Sequence, residues 1–402
     1  MTTTTYSVPR RIADDAEAVA AARALGTRLA EDGADARRDA ERLLPREQVR
    51  QVSEAGLFTL TVPREHGGPQ VSARTLGEVF TELSAGDSSV GQIPQNHYYF
   101  VDLLQHTGTA EQLAFFHAEV LAGRHFGNAL SERGTATAKD YSISFRQQPD
   151  GSRVVDGTKY YATGSPFAHW IPIYANDEQG RLHAAWIPAD HPGVTIEDDW
   201  KGMGQRTTGS GTVRFSSVTV PAEHVVEVDP MYEKPETFGA FGNYLHAAVD
   251  AGIAVAALRD GRRLIRELAR PWWEAGVERA ADEGAVIDRF GELALLVRAA
   301  RALVREAGEA VDAARADLTE RSAAEASAAV AAARAQADSA ALTVASDIFA
   351  LVGTRAADNA LNLHRHWRNA RTHTLHDPRR WKIRHLGAWE LDEVPPPRNG
   401  II

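Results

Sequence analysis

The amino-acid sequence predicts an α+β chain in three parts: an N-terminal helical domain at 12–123, a middle antiparallel β domain at 124–228, and a C-terminal four-helix bundle at 240–391 with a tail at 392–402. Two observations carry this. The middle hundred residues hold short alternating runs divided by turn clusters, whereas both flanks carry apolar residues at steps of three and four. The 402 residues are 44% hydrophobic and 24% charged, which excludes disordered and fibrous classes and leaves enough apolar mass for two to three domains.

From about Asp14 to Gly123 the pattern is helical, with breaks at Gly56, the PREHGGP stretch from Pro63 to Pro69, Gly86 and Gly108. From His125 to about Val226 the runs YSISFRQ, SRVVDGTKYYATG, HWIPIYA, RLHAAWIP and GTVRFSSVTV read as strands, with PDGS and NDEQG as turns. Either a β-barrel or a β-sandwich accommodates them. After a loop around Asp229 to Phe241, helical spacing returns, and Leu293, Val297, Ala300, Val304, Ala307 and Val311 fall on one face. The Ala-dense stretch from Ser322 to Ala350 has high helix propensity, and Val330, Leu342, Ile348 and Leu351 make it a closely packed bundle helix.

Charge and composition narrow the function. The net charge of −10 disfavours a nucleic-acid or anionic membrane partner. Only five of the 44 basic residues are Lys, and the Arg that make up the rest have rigid forks suited to carboxylates, phosphates and subunit interfaces. Without cysteine there are no disulfides, thiolate metal sites or cysteine nucleophiles, so the chemistry rests on His, carboxylates, hydroxyls or an organic cofactor. Met1 to Arg11 lacks an apolar core segment and the run Ala251 to Leu258 is too short to span a bilayer, which points to a cytoplasmic protein.

No P-loop, HExxH, GxSxG or strand-linked GxGxxG occurs, and no Glu stands three residues before a His, as a di-iron bundle requires. The densest chemical signal is His364, His366, His373, His376 and His385 within 22 positions. Interleaved Arg residues argue against a divalent cation there. His373 and His376 lie three apart, so both can face one cavity and move a proton near neutral pH. An interfacial knot of Arg and His is the alternative.

The three-part order, with several motifs, resembles the acyl-CoA dehydrogenase superfamily over nearly the whole chain. NALSERGT at Asn128 to Thr135 resembles its flavin-contacting T-E-P segment, YYATG at Tyr160 to Gly164 its W-I-T-N-G strand, and GQRTTGSGTVRFSSVTVP at Gly204 to Pro221 its G-x-R-x-S-x-T strand pair. The departures are equally informative. ARPWWEAG at Ala269 to Gly276 replaces the R-x-x-F-G segment that helps bind the FAD diphosphate across a subunit interface. DIFALVGTRAADN at Asp347 to Asn359 replaces the Gly-rich Q-x-x-G-G-x-G-Y segment, and the serine of G-S-D is missing. RNARTHTLHDP at Arg368 to Pro378 puts Asp377 in the slot of the Glu that abstracts the substrate α-proton.

With Trp200 to Arg206 (W-x-x-x-G-x-R) and HWRNARTH-x-x-HDP, these departures resemble the flavin-dependent monooxygenase branch, that of dibenzothiophene monooxygenase and the sulfur-acquisition oxidoreductases. The resemblance implies a homotetramer that takes reduced FMN, more than FAD, from a separate NAD(P)H-dependent flavin reductase. It implies reaction with O2 through a C4a-hydroperoxyflavin and oxygen transfer to a soft nucleophile, most often an organosulfur compound. By the same resemblance Thr163 approaches flavin N5, Asn128 and Ser131 lie beside flavin and substrate, and His373 and His376 are the paired histidines, His376 the one bonding the peroxide or donating a proton. Trp200 either roofs the flavin or packs the β domain, and Arg355 either binds the FMN phosphate or lies on the surface. His97 and Tyr98 in QNHYYF either line the substrate side or belong to the core. The alternatives are an acyl-CoA dehydrogenase using Asp377 as base, an N-hydroxylating amine monooxygenase of the same fold, and a nucleic-acid-associated flavoprotein, which the net charge opposes.

Overall fold

A computed structural model describes residues 8–137 and 139–399. Among the described residues the N-terminal third holds six α-helices: α1 (Asp15–Ala30), α2 (Ala34–Glu41), α3 (Arg46–Glu54), α4 (Ala73–Gly86), α5 (Ser88–Thr107) and α6 (Ala110–Leu121). Their starts follow from capping chemistry. Asp14, Ser72 and Asp87 each accept a backbone N–H at the first turn of α1, α4 and α5, and Thr109 with Gln112 forms a capping box on α6. The breaks expected at Gly86 and Gly108 end α4 and α5. α5 continues past Pro94 and is buried along most of its length.

Among the described residues seven strands follow: β1 (Arg146–Gln147), β2 (Arg153–Lys159), β3 (Trp170–Asn176), β4 (Leu182–Pro188), β5 (Val194–Glu197), β6 (Thr212–Val220) and β7 (Val225–Glu227). All named pairs are antiparallel, in one sheet of order β1-β2-β6-β5 and a second of order β3-β4-β7. This is a sandwich and not a barrel, because no ladder among the described residues closes one sheet onto the other. Phe145, Val155, Ile171, Ile173, Ile187, Val213 and Phe215 fill the space between the sheets. β5 and β7 are too short to show alternation in sequence, and YSISFRQ enters a ladder only at its last two residues.

The C-terminal part is a helix bundle of α8 (Phe238–Glu267), α9 (Gly284–Ala316) and α10 (Glu320–Val352), completed by α11 (Arg365–Thr374) and α12 (Arg379–Asp392). All six periodic residues of α9 are buried, from Leu293 to Val311. On α10, Val330 and Ile348 are fully buried while Leu342 and Leu351 pack at the core's margin. The expected loop at Asp229 to Phe241 contains a short helix, α7 (Asp229–Tyr232), and α8 begins inside it because Phe238 and Phe241 are drawn fully into the core. One core cluster joins the two helical regions, with α4 residues Leu76, Phe80 and Leu83 beside α8 residues Ala247, Ala251 and Ala254.

α8 corrects the reading of its apolar stretch. Small residues extend it well beyond Ala251 to Leu258, and by length and composition the helix could cross a membrane, with a mean hydropathy of 1.2 in its best window. Some 89% of that window is buried inside the protein, and Asp250 and Asp260 lie on its length, so it is the central core helix of this fold. Two of its buried polar residues, His246 and Asp250, are what the site is built on.

Candidate active site

Three segments of the middle domain converge. The Asn128 segment is pinned by a buried ion pair: Lys159 on β2 donates to Glu132 Oε1 at 2.7 Å and to the Leu130 carbonyl at 3.0 Å. Burial pushes the Lys159 ammonium down to about 8 despite Glu132. Ser131 accepts the Tyr160 N–H at 2.9 Å and is exposed. Asn128 donates Nδ2 to the Tyr161 carbonyl at 3.3 Å, and its Oδ1 is buried with no protein partner. An unpartnered buried acceptor requires a donor from elsewhere.

The second and third segments present hydroxyls. Thr163 Oγ1 lies 2.7 Å from Ser210 Oγ, which lies 2.6 Å from Thr208 Oγ1, which donates to the Gln205 carbonyl at 2.9 Å. Trp200 Nε1 donates to that same carbonyl at 2.8 Å, and its indole meets Tyr161 edge-on at 6.1 Å. Tyr161 and Gln205 have φ of +55 and +46, a left-handed strain that non-glycine residues hold only under tight local constraint. The loop then docks on α11. Gln205 N–H donates to Asn369 Oδ1 at 2.7 Å, and a Cβ on Gly204 would stand 1.9 Å from the Arg368 carbonyl, so only glycine permits this approach. Asn369 lies one turn before His373 on α11.

Behind that seam runs a buried chain of imidazoles. Asp250 Oδ1 is 2.6 Å from His373 Nδ1, and His373 Nε2 is 2.9 Å from His246 Nδ1. The His246 ring packs on His376 with centroids 4.2 Å apart and a 34° tilt. Asp250 is ion-paired with Arg334 of α10, whose Nη2 reaches Asp377 at 3.0 Å, and Asp377 in turn binds Lys382 of α12 at 2.6 Å. His246 and His373 are buried, which drives both imidazoles well below the usual histidine range, whereas the His376 side chain is about half exposed. The chain therefore ends at solvent in His376. Its neighbours in sequence, Leu375 and Asp377, help line a cleft of about 590 Å³ together with Asp338, Arg371 and Arg379.

Burial alone would raise the Asp377 carboxyl, but Arg334, His376 and Lys382 hold it well below the carboxylate range. A carboxylate clamped by two cations is a poor proton acceptor, which removes the physical basis for Asp377 as an α-proton base.

The remaining candidates lie elsewhere. His97 is fully buried; Nε2 donates to the Phe58 carbonyl at 2.7 Å because Nδ1 accepts the Phe126 N–H at 3.1 Å. Tyr98 donates to the Leu57 carbonyl at 2.5 Å. Arg355 is exposed after the end of α10, donating to the Leu268 carbonyl at 3.1 Å. Roughly 27 Å of helix axis separates Arg334 from Val352, so Arg355 is remote from the imidazole chain within one molecule. His246, Asp250, Arg334, Ser210, Gln205 and Asn369 were not singled out from the sequence. For two of them a signal existed: His246 and Asp250 are an i, i+4 ionisable pair on an apolar helix. Among the described residues no three His, Asp or Glu side chains are grouped to hold a metal.

Known proteins share this architecture. The acyl-CoA dehydrogenase N-terminal domain family matches residues 13–124, the middle domain family 128–218 and the C-terminal domain family 244–379. Dibenzothiophene monooxygenase of Rhodococcus qingshengii is 32% identical over 405 residues, covering 96% of this chain and 95% of that protein. The chain belongs to the acyl-CoA dehydrogenase superfamily. Within that superfamily its solved relatives include FMN-bound TdsC of Paenibacillus sp. A11-2, with a TM-score of 0.90 at 29% identity over 96% of this chain and 100% of that one. Methanesulfinate monooxygenase MsuC of Pseudomonas fluorescens has a TM-score of 0.88 at 26% identity over 96% and 99%. For a superfamily member the unpartnered Asn128 oxygen and the Thr163–Ser210–Thr208 hydroxyl run fit the polar edge of a flavin ring, which carries both N–H donors and carbonyl acceptors.

Proposed function

We propose that this protein is a two-component monooxygenase that uses reduced FMN and O2 to place one oxygen atom on an organosulfur compound. Full-length similarity to dibenzothiophene monooxygenase supports the reaction class, and similarity to an FMN-bound relative supports FMN over FAD. The observation that carries the reading is the seam itself: an unpartnered acceptor and a hydroxyl ladder on one side, and a histidine chain ending at half-exposed His376 on the other.

Reduced flavin, when bound, supplies the two electrons that activate O2, one atom going to sulfur and the other leaving as water. This chain's residues do the rest. Asn128 and Thr163 bond the ring edge, Ser131 and Trp200 close the pocket around it, and His376 delivers the proton that the departing oxygen needs. His373 acts from behind His376. We assign Arg355 to the FMN phosphate of a neighbouring copy in a homotetramer, which its exposure and distance from the imidazole chain favour. We place His97 and Tyr98, whose polar atoms are filled by backbone, in the core that backs the substrate space and not in contact with the substrate. An NAD(P)H-dependent reductase is the electron source, the substrate is a small molecule, and the net charge of −10 disfavours nucleic-acid and anionic membrane partners.

The test is turnover under 18O2 with FMN, NADH and a flavin reductase, offering dibenzothiophene and methanesulfinate in separate reactions. The expected product carries one 18O for each oxygen gained. Absence of any labelled product, with FAD retained through purification and bleached by acyl-CoA, overturns the reading.

A further inference from the structure

The paired histidines of the C-terminal motif are not the whole of the proton machinery, because a third imidazole from α8 stands between them. The His376 ring packs on that of His246 while its backbone N–H donates to the His373 carbonyl, so the side-chain route from His376 to His373 runs through His246. The direction of each hydrogen bond follows from one fixed point. Asp250, ion-paired with Arg334, offers a carboxylate and no proton, so His373 Nδ1–H donates to it at 2.6 Å. The other nitrogen of neutral His373, Nε2, is then a lone pair and accepts the His246 Nδ1–H at 2.9 Å. That leaves His246 neutral, with Nε2 unprotonated.

We propose that Asp250 and His246 are positioning residues that set the ring orientation and proton arrangement at His376 through the relay Asp250–His373–His246. The carboxylate fixes one tautomer, which fixes the next, and the His246 ring, neutral and with Nε2 free of a proton, is held as the surface on which the His376 ring packs. Burial of His246 and His373 opposes charging either inner ring. The charged groups around this cluster come from every element packed on it: Asp250 of α8, Arg334 and Asp338 of α10, Arg371 of α11, Asp377 of the following turn, and Arg379 and Lys382 of α12. None supplies a second acceptor to His373 Nδ1. The inference rests on the monooxygenase reading for its consequence and on geometry alone for its tautomers.

Asp250→Asn reverses the relay. Arg334 demands an acceptor, so the amide oxygen turns to it and the amide N–H2 faces His373, which must then carry its proton on Nε2; His246 inverts in response. In 15N-histidine-labelled protein without flavin, the expected result is inversion of two imidazole tautomers relative to wild type. Turnover is measured alongside, with an expected fall of about tenfold or more in kcat and KM within about twofold. Where Asp250→Asn does not fold, His246→Phe and His246→Asn decide: Phe keeps a ring under His376 but removes the Nδ1–H donor to His373, and Asn can keep that donor but removes the ring, so kcat should fall for both. A folded Asp250→Asn with an unchanged 15N pattern, or wild-type kcat for either substitution at position 246, overturns the proposal. Because the spectra need neither flavin nor substrate, a failed oxygenation assay does not mask their outcome.

Discussion

Two groups of buried imidazoles occupy the two sides of the central helical core, and they are wired differently. His97, between α5 and the middle domain, has both nitrogens committed to backbone, the Phe58 carbonyl and the Phe126 N–H. His246, His373 and His376 are joined to one another and to a carboxylate, and their chain ends half exposed. Burial pushes His97 down to about 4 and drives His246 and His373 well below the usual range, so protonation energetics alone do not separate the groups. Connectivity does. An imidazole whose two nitrogens are filled by backbone holds a fold together, and one whose partners lead to solvent can exchange a proton.

The strongest way to break this contrast is at the shared anchor of the second group. Asp377→Asn leaves Arg334 and Lys382 buried without their common carboxylate, with an expected loss of about 3–5 kcal/mol in stability, measured by denaturant unfolding. Next comes His376→Phe, expected to lower product formation by on the order of 100-fold while the unfolding midpoint barely changes, because the side chain is half exposed.

His97→Leu should do the converse. It leaves a buried carbonyl and N–H unpaired, with an expected cost of about 2 kcal/mol and unchanged kcat in the folded fraction. It should also change the pH response. Because His97 is neutral when folded and titrates near 6.5 when unfolded, the unfolded state binds the extra proton, and stability is lost as pH falls from about 6.5 toward 4. Removing His97 should flatten that slope, seen in urea midpoints across the window. The smallest effect expected is Thr163→Val, which cuts the hydroxyl ladder at one end and should weaken reduced-FMN binding by about fivefold to tenfold, measured by fluorescence titration under anaerobic conditions.

Much of the fold was legible because long periodic elements declare themselves: the buried face of α9 follows the sequence spacing residue by residue. The short strands β5 and β7 did not, since three or four residues show no alternation. The site was legible in part for a related reason. His373 and His376 share one motif, but the groups that bind them, His246, Asp250 and Arg334, stand 40 to 130 positions away on other helices, and only packing brings them together. The same holds for Gln205 and Asn369, which join the middle domain to α11. A linear motif also cannot tell a histidine with filled nitrogens from one with a free end, which is why His97 stood as a candidate for the substrate side.

The most direct test compares how O2 is spent by wild type, His376→Phe and His97→Leu, each supplied with enzymatically reduced FMN and a sulfur substrate, by quantifying hydrogen peroxide against oxygenated product. The expected result is efficient transfer in wild type and in the folded His97 variant, with the His376 variant consuming O2 mainly to peroxide. Equal coupling in all three, or loss in the His97 variant alone, would contradict the assignment of proton delivery to the chain that ends at His376.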